Sequence, residues 1–426
     1  MKTNLKNFRS IIGLFTLLVM SFVALTLQAQ TEEAVSVIRG KIVDQKTEKP
    51  LVFASVLVVN SGVGTVSNNE GEFILKVPQS LKSSSIRFSF MGYKSVTFKL
   101  GELKSDNNIV PMAFETINIK DVIVRANDPI TLIKRAIENV PNNYGVAPYL
   151  CTAFYRESIM KNKTYAGVAE AVLNIYKSSY NNRMSEDRIK VFKGRKSQDI
   201  KKIDTLIFKL QGGHSTAMLL DLAKNPITFM QDDYFSNFVY QPVTVTNIEG
   251  RETYVIDFEQ KRDIDEVYYD GRIYLDVTTL AIKKVEFSIS PLGLPLADNY
   301  LVRKKPMNTK VKTVSAVYSV DYREINGRWT LNHVRYEVKF KVDKKREWFS
   351  KTYTSTVDLA VTDKDTVNVT KFKMSESLKQ NQVFIDHVSD YYDENFWGSY
   401  NIIKPEEPIE DAIKRISKKM KKYQSS

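Results

Sequence analysis

The stretch "LQGGHSTAML" comes nearest to spelling out chemistry in this chain: His214 and Ser215 adjoin behind two glycines. A serine nucleophile needs a base whose ring nitrogen reaches its hydroxyl. Sequence neighbours rarely aim at each other, and the G-x-S-x-G elbow that would present such a serine is missing. A helix capped by Ser215 or Thr216 explains the same residues without chemistry. The other histidines, His333 and His387, are too far off in sequence to make a local metal motif. "KRDIDEVYYDG" carries Asp263, Asp265, Glu266 and Asp270. Two carboxylates facing each other across a cleft hydrolyse glycosidic bonds, but this run reads first as a solvated acidic loop. "GVGTVSNNEGEF" brings Glu70 and Glu72 without the dense oxygen set of a calcium loop, so it reads as a corner between strands. The single cysteine, Cys151, excludes an intrachain disulfide and a thiolate metal site. There is no P-loop, dinucleotide fingerprint or zinc signature. No catalytic residue, metal ligand or cofactor is assigned on this reading.

The elements that would position any site begin after a leader. Lys2, Lys6 and Arg9 precede an apolar run from Ile11 to about Leu27, closed by Gln28-Ala29-Gln30. That order is a secretory signal peptide, with cleavage expected after Ala29 and export to the periplasm, the outer membrane or beyond; a membrane anchor is the competing reading, for which the stretch is near the lower length limit. No cysteine stands near the cut to take a lipid anchor, and no later run reaches the ~20 apolar residues of a spanning helix. The formal charge is +13. A basic surface attracts anionic partners; in an exported chain these are lipid or glycan, not nucleic acid.

Residues 30–126 read as an all-β domain. "VSVIRGKIVDQ" alternates apolar and polar residues, Pro50 stands at a strand start, and "EFILKV" puts Phe73 and Leu75 on one face. "SIRFSFMGYKSVTFKL" gives two more strands around Gly92. "GKIVDQKTEKPLVFASVLV", "GTVSNNEGEF" and "FSFMGYKS" resemble the carboxypeptidase regulatory-like domain of Bacteroidetes-type exported proteins. The matching residues are Gly40, Val43, Asp44, Pro50, Ala54, Val56, Gly64, Thr65, Gly71, Phe73, Gly92 and Tyr93. The resemblance implies a seven-stranded, transthyretin-like β-sandwich that holds none of a carboxypeptidase's zinc ligands. "IKDVIVRAND" resembles the segment leading to a TonB-dependent receptor in similar chains, but residues 127–426 are too few for a plug and large barrel.

Residues 127–375 open on a helix: Asp128 caps, Pro129 sits in the first turn, and Ile130, Ile133, Ala136, Ile137 and Val140 recur at helical spacing until Pro141 and "NNYG". Long alternating strands follow, which want one apolar face covered and one face wet, and a further helix near Ser215 to Ala223 is the candidate cover. The strand faces are Tyr254, Ile256 and Phe258; Ile273, Leu275 and Val277; Ala281, Val285, Phe287 and Ile289, with Lys283 the exception; Val314, Ala316, Tyr318, Val320 and Tyr322; and Val334, Tyr336, Val338, Phe340 and Val342. Asn326-Gly327 marks a hairpin. Helix, meander and "GRIYLDV" look like LolA-type periplasmic lipid carriers, which implies an antiparallel half-barrel-like sheet around an apolar cavity; the competing reading is a filled β core with no cavity. A membrane barrel also uses such strands, but the Lys-rich end and irregular loops oppose it. The candidate apolar ligand-facing residues are Tyr254, Ile256, Phe258, Tyr318, Tyr336, Val338 and Phe340.

Residues 376–426 form an arm. Tyr391, Tyr392, Phe396, Trp397 and Tyr400 cluster, and a basic helix follows Pro405 and Pro408. The aromatics are expected to pack on the second domain; a basic helix of this kind could also touch a membrane surface or an envelope protein partner. The favoured function is non-enzymatic, namely binding of a lipid or other apolar ligand, or scaffolding, at the cell envelope. The alternatives are a glycan-directed hydrolase with a site assembled from distant carboxylates, and a structural adhesion or assembly module.

Overall fold

A computed structural model describes residues 34–115, 128–182, 185–198, 213–248, 250–262, 264–302, 308–345, 349–380, 382–388 and 396–414. The leader, Asp263, Tyr391, Tyr392 and the last lysines lie outside the described residues.

The first seven strands build two facing sheets. β1 (Val35–Asp44) lies between β4 (Glu72–Pro78), antiparallel, and β7 (Asn108–Met112), parallel. The second sheet runs in the order β3 (Gly64–Val66), β2 (Ser55–Val58), β5 (Ser85–Ser89) and β6 (Val96–Lys99). β4 buries every second residue, so Phe73 and Leu75 meet Ile42, Val56, Phe88 and Val110 between the sheets. Two residues of the resembling motifs explain each other: Tyr93 donates its hydroxyl to Asp44 at 2.8 Å. With the Thr47 backbone N–H and hydroxyl donating as well, the Asp44 carboxyl is held down at about 2.

The "SNNEG" segment is a corner. Asn68 Oδ1 accepts from the N–H groups of Glu70 at 2.9 Å and Glu72 at 2.8 Å, so one side chain closes the turn. Gly71 has φ +75°, and a Cβ there would stand 2.6 Å from the Ile42 carbonyl oxygen. Gly71→Ala is therefore expected to destabilise the protein by about 2 kcal/mol, from left-handed strain plus a backbone clash. Urea unfolding checks this; a loss within 0.5 kcal/mol, roughly the scatter of surface substitutions, contradicts it.

The rest of the chain forms one open, antiparallel, eleven-stranded sheet. Its order is β10 (Arg188–Gln198), β9 (Thr164–Lys177), β8 (Tyr149–Lys161), β18 (Lys351–Asp365), β17 (Arg328–Lys344), β16 (Thr309–Ile325), β15 (Ile282–Ile289), β14 (Tyr269–Asp276) and β13 (Arg251–Gln260). β11 (Phe238–Tyr240) and β12 (Thr244–Ile248) both pair with the far edge of β13. The antiparallel sheet expected from alternation, half-barrel-like as the LolA-type resemblance implies, is present, and it does not close. Asn326 and Gly327, both at positive φ, turn β16 into β17.

Bulges correct two face assignments. β16 shifts register between Thr313 and Ser315, which extrudes Val314; it is 43% exposed and does not share the face of Ala316 and Tyr318. β15 shifts against β14 so that Lys283 is the extra residue, and its ammonium donates to the Ile248 carbonyl at 2.9 Å. Alternation alone cannot locate such an insertion.

One face of the sheet is covered by helices. α1 (Pro129–Glu138) starts as expected, with Asp128 accepting from Thr131 N–H at 2.8 Å. Pro141 does not end the helical segment: it occupies the first turn of a second helix, α2 (Val140–Tyr144), because a proline lacks only an N–H that is unneeded there. The next helix, α3, is Gly213–Leu219, so Ser215 and Thr216 lie inside it rather than capping it, and it stops short of the expected Ala223. Residues 220–240 continue across the face, where Phe229 stacks on Phe258 at 4.1 Å and approaches Phe287 at 5.2 Å. A last short helix, α4 (Asp298–Leu301), packs beside β16.

The opposite face carries the sandwich and the arm. Phe154, Val172 and Ala360 of the large sheet pack with Val66, Phe396, Trp397, Ile402 and Ile403. Thr65 donates its hydroxyl to the Ile402 carbonyl at 2.8 Å, and Arg323 donates to the Gly62 carbonyl at 2.7 Å. The arm's described aromatics thus pack as expected, but the arm also bridges to the sandwich. Beneath it Glu170 is buried between Arg156 Nε at 2.8 Å and Arg195 Nε at 2.9 Å.

Candidate functional site

All seven candidate ligand-facing residues point to the helix-covered face. Tyr254, Ile256, Phe258, Tyr318, Tyr336, Val338 and Phe340 belong to one buried cluster, none more than 9% exposed. Phe229, Phe238 and Tyr240 pack on Phe258, and Tyr318 stacks on Phe287 at 4.8 Å. Tyr336 donates its hydroxyl to the Gly213 carbonyl at 3.1 Å. The chain's own segment 213–240 occupies this part of the face: the expected covering helix is there as α3, and the cover runs on through residues 220–240, which the sequence did not advertise.

Open space lies at the edge of that face. A cleft of about 460 Å³ runs between the start of β10, α3 with the turn after it, and residues 374–380. Ile189, Met218 and Leu378 supply apolar wall, while Leu219 and Met374, 59% and 65% exposed, stand among its lining residues. Glu186, Asp187, Arg188, Lys224 and Lys379 supply the charged part, with serine, asparagine and glutamine side chains between them. The volume falls within the range of small-molecule sites, while the lining is more polar than such sites usually are.

Behind the cleft lies a buried ionic cluster. Lys177 Nζ donates to Asp187 Oδ2 at 2.6 Å and to Asp221 Oδ2 at 2.7 Å. Asp221 also accepts from the hydroxyls of Tyr180 at 2.7 Å and Tyr322 at 2.9 Å. Lys224 Nζ donates to Asp187 Oδ1 at 2.5 Å and to the Ser178 hydroxyl. Two ammonium groups therefore face two carboxylates. Burial alone would lower the Lys177 pKa, but Asp187 and Asp221 outweigh it and raise it. Lys224, which reaches the cleft, is shifted the other way, lowered by burial and then by Lys177. Burial likewise opposes ionisation of Asp187, yet the two lysines hold its pKa below the ordinary value. Across the wall Arg188 donates to the Phe372 carbonyl at 3.4 Å, while its buried Nε has no partner among the described residues.

This arrangement places apolar wall beside the side chains of Arg188 and Lys379. It does not assemble the histidine–serine pair. Fully buried His214 turns Nε2 to the Lys379 carbonyl at 3.2 Å, and burial lowers its pKa to about 4. Of the acidic run, Asp265 and Glu266 are exposed, and Asp270 accepts from the Gln260 N–H at 2.8 Å. Among the described residues no three His, Cys, Asp or Glu side chains are grouped to hold a metal, and no helix is long and apolar enough to cross a membrane.

Sequence reasoning missed the cluster, yet one signal was present. In "VLNIYK" Leu173, Ile175 and Lys177 share a phase, so Lys177 points inward with the apolar residues. An inward lysine must find buried acids. Its partners, Asp187 and Asp221, come from other elements and carried no mark.

Residues 38–124 match the family model of the CarboxypepD_reg-like domain. No curated protein shows significant similarity to the chain. Among solved structures, a DUF1329 family protein from Desulfovibrio piger aligns at 12% identity and TM-score 0.25, covering 59% of this chain and 100% of that one. A lipovitellin structure described for its lipid–protein interactions aligns at 10% identity and TM-score 0.25, covering 54% of this chain and 26% of that one. A membrane-associated protein of unknown function from Bacteroides fragilis aligns at 9% identity and TM-score 0.16, covering 78% and 99%. At such scores none of the three carries a functional argument. Two β-sheets over one core, the Asp44–Tyr93 bond and the Asn68 corner fall within the matched residues, and residues 38–124 are a CarboxypepD_reg-like domain.

Proposed function

We propose that the chain is a non-catalytic, exported cell-envelope protein that binds an amphiphile, an acyl chain with an anionic end, in the cleft between β10, α3 and residues 374–380. Residues 1–29, read as a signal peptide, support export. The regulatory-like domain acts here as a mount for the large sheet, with residues 127–375 and the start of the arm, residues 376–380, as the binding unit and the remainder of 376–426 as the part that fastens them. The observation that carries the reading is the cleft itself, in which apolar wall from Ile189, Met218 and Leu378 meets the side chains of Arg188 and exposed Lys379. Each CH₂ buried there would contribute about 0.8 kcal/mol without any specific contact. The seven inward residues, Tyr254 through Phe340, are the second ligand-facing surface, reached only if segment 213–240 lifts away.

Titration of the delipidated full chain with a fluorescent fatty acid tests the proposal. Saturable binding is expected, weakened about tenfold, or ~1.4 kcal/mol, by the double substitution Leu219→Asp and Met374→Asp. Both side chains are exposed, so the fold should tolerate the change. Binding indifferent to that pair but abolished by Tyr336→Asp in a folded protein would move the ligand to the inner face. No saturable binding would leave scaffolding.

A further inference from the structure

The end of the β16–β17 hairpin farthest from Asn326-Gly327 is strongly cationic. Lys310, Lys312, Lys339 and Lys341 are exposed there, and Lys312 stands directly opposite Lys341 in the ladder. Like charges directly opposite destabilise a sheet, yet none of these four lysines has an ion-pair partner among the described residues. The acids in this register are Asp343, half-buried opposite Lys310, and Glu337, which stands opposite Val317 two residues from Lys339 and pairs with Arg335 at 3.8 Å. The sandwich covers this face only farther along the strands, where Phe53 meets His333 at 5.1 Å and Arg335 lies 4.6 Å over its ring.

The same end exposes apolar groups. Phe349, between β17 and β18, is 85% exposed, and the bulge residue Val314 and its neighbour Val317 are 43% and 50% exposed. Unpaired lysines beside solvent-facing aromatic and branched side chains match an anionic bilayer, whose headgroups attract the cations and whose boundary takes the apolar groups. A soluble polyanion would satisfy the lysines but leave Phe349 and the valines in water.

We infer that this hairpin end is a docking surface for an anionic lipid bilayer, a role independent of the cleft. Each lysine near such a surface should multiply partitioning about fivefold at moderate salt.

The test is co-sedimentation of the full chain with vesicles of phosphatidylcholine containing roughly a third phosphatidylglycerol, and with phosphatidylcholine alone. Binding at least tenfold stronger to the anionic vesicles is expected, falling as salt rises. Lys312→Glu with Lys341→Glu should weaken it more than tenfold. Phe349→Ser should weaken it several-fold at low and high salt alike. All three positions are exposed, and an unchanged unfolding midpoint shows that the variants are folded. Vesicle binding unaffected by these substitutions would overturn the inference. So would retention on a soluble acidic polysaccharide with no vesicle binding.

Discussion

Replacing Glu170 by alanine is expected to destabilise the protein by at least the roughly 3–5 kcal/mol of breaking one buried ion pair. Glu170 is 1% exposed and serves two cations: Arg156 on one oxygen, and Arg195 through Nε and a terminal nitrogen on the other. Both guanidiniums stay buried when the carboxylate goes. Arg156 also donates to the Ile403 carbonyl at 2.7 Å, and Arg195 lies 5.0 Å over the Trp397 ring. The arm should therefore loosen with the strands, and amide exchange at Ile402 and Ile403 should speed up.

The effect has a pH signature. Burial alone would raise the Glu170 pKa, but the two arginines outweigh it and place it below its ordinary 4.5. A carboxylate with a depressed folded pKa stabilises above its unfolded pKa, and that stability is lost as pH falls through the folded one. The gap between the parent and Glu170→Ala should be full near pH 7 and narrow only below about 4.5. A loss under 1 kcal/mol at pH 7, or a gap that widens on acidification, contradicts this account.

Asp221→Asn is the second large loss, again roughly 3–5 kcal/mol. Asp221 is wholly buried and accepts from Lys177, Tyr180 and Tyr322. An amide keeps the shape, but its NH₂ must face donors, and Lys177 keeps only Asp187 against its buried charge. The double change Lys177→Met with Asp221→Leu removes both charges and should recover part of the loss, because an apolar pair incurs no desolvation penalty. Urea unfolding of parent, single and double variants tests this. A single variant within 1 kcal/mol of the parent, or a double variant worse than the single, contradicts it.

The legible parts of the sequence were those governed by local rules. Alternation in "EFILKV" and "VRYEVKFKV" named the inward residues of β4 and β17, because the period of a strand is strict. Asp128-Pro129 marked the start of α1, and Asn326-Gly327 marked the hairpin, because each supplies a backbone need directly. The sandwich was legible through its corner residues, and the Asp44–Tyr93 bond supplies one physical reason for their pairing. Illegible were the features that depend on an inserted residue or a distant partner. The bulge at Val314 reverses a face without any composition signal. The cleft joins β10, α3 and residues 374–380, which are far apart in the chain. Residues 220–240 carry the cover on over the inner face with single aromatics such as Phe229, too sparse to read as a covering layer.

The most direct test of amphiphile binding uses a fatty acid carrying a diazirine near the end of its chain. It is photolysed with the full-length protein, and the labelled peptides are sequenced by mass spectrometry. The account predicts saturable labelling in residues 213–225 and 374–380, competed by unlabelled fatty acid and reduced by Leu219→Asp with Met374→Asp. Labelling scattered over the surface and indifferent to competitor, or confined to strands β13, β16 and β17, would contradict the cleft as the binding site.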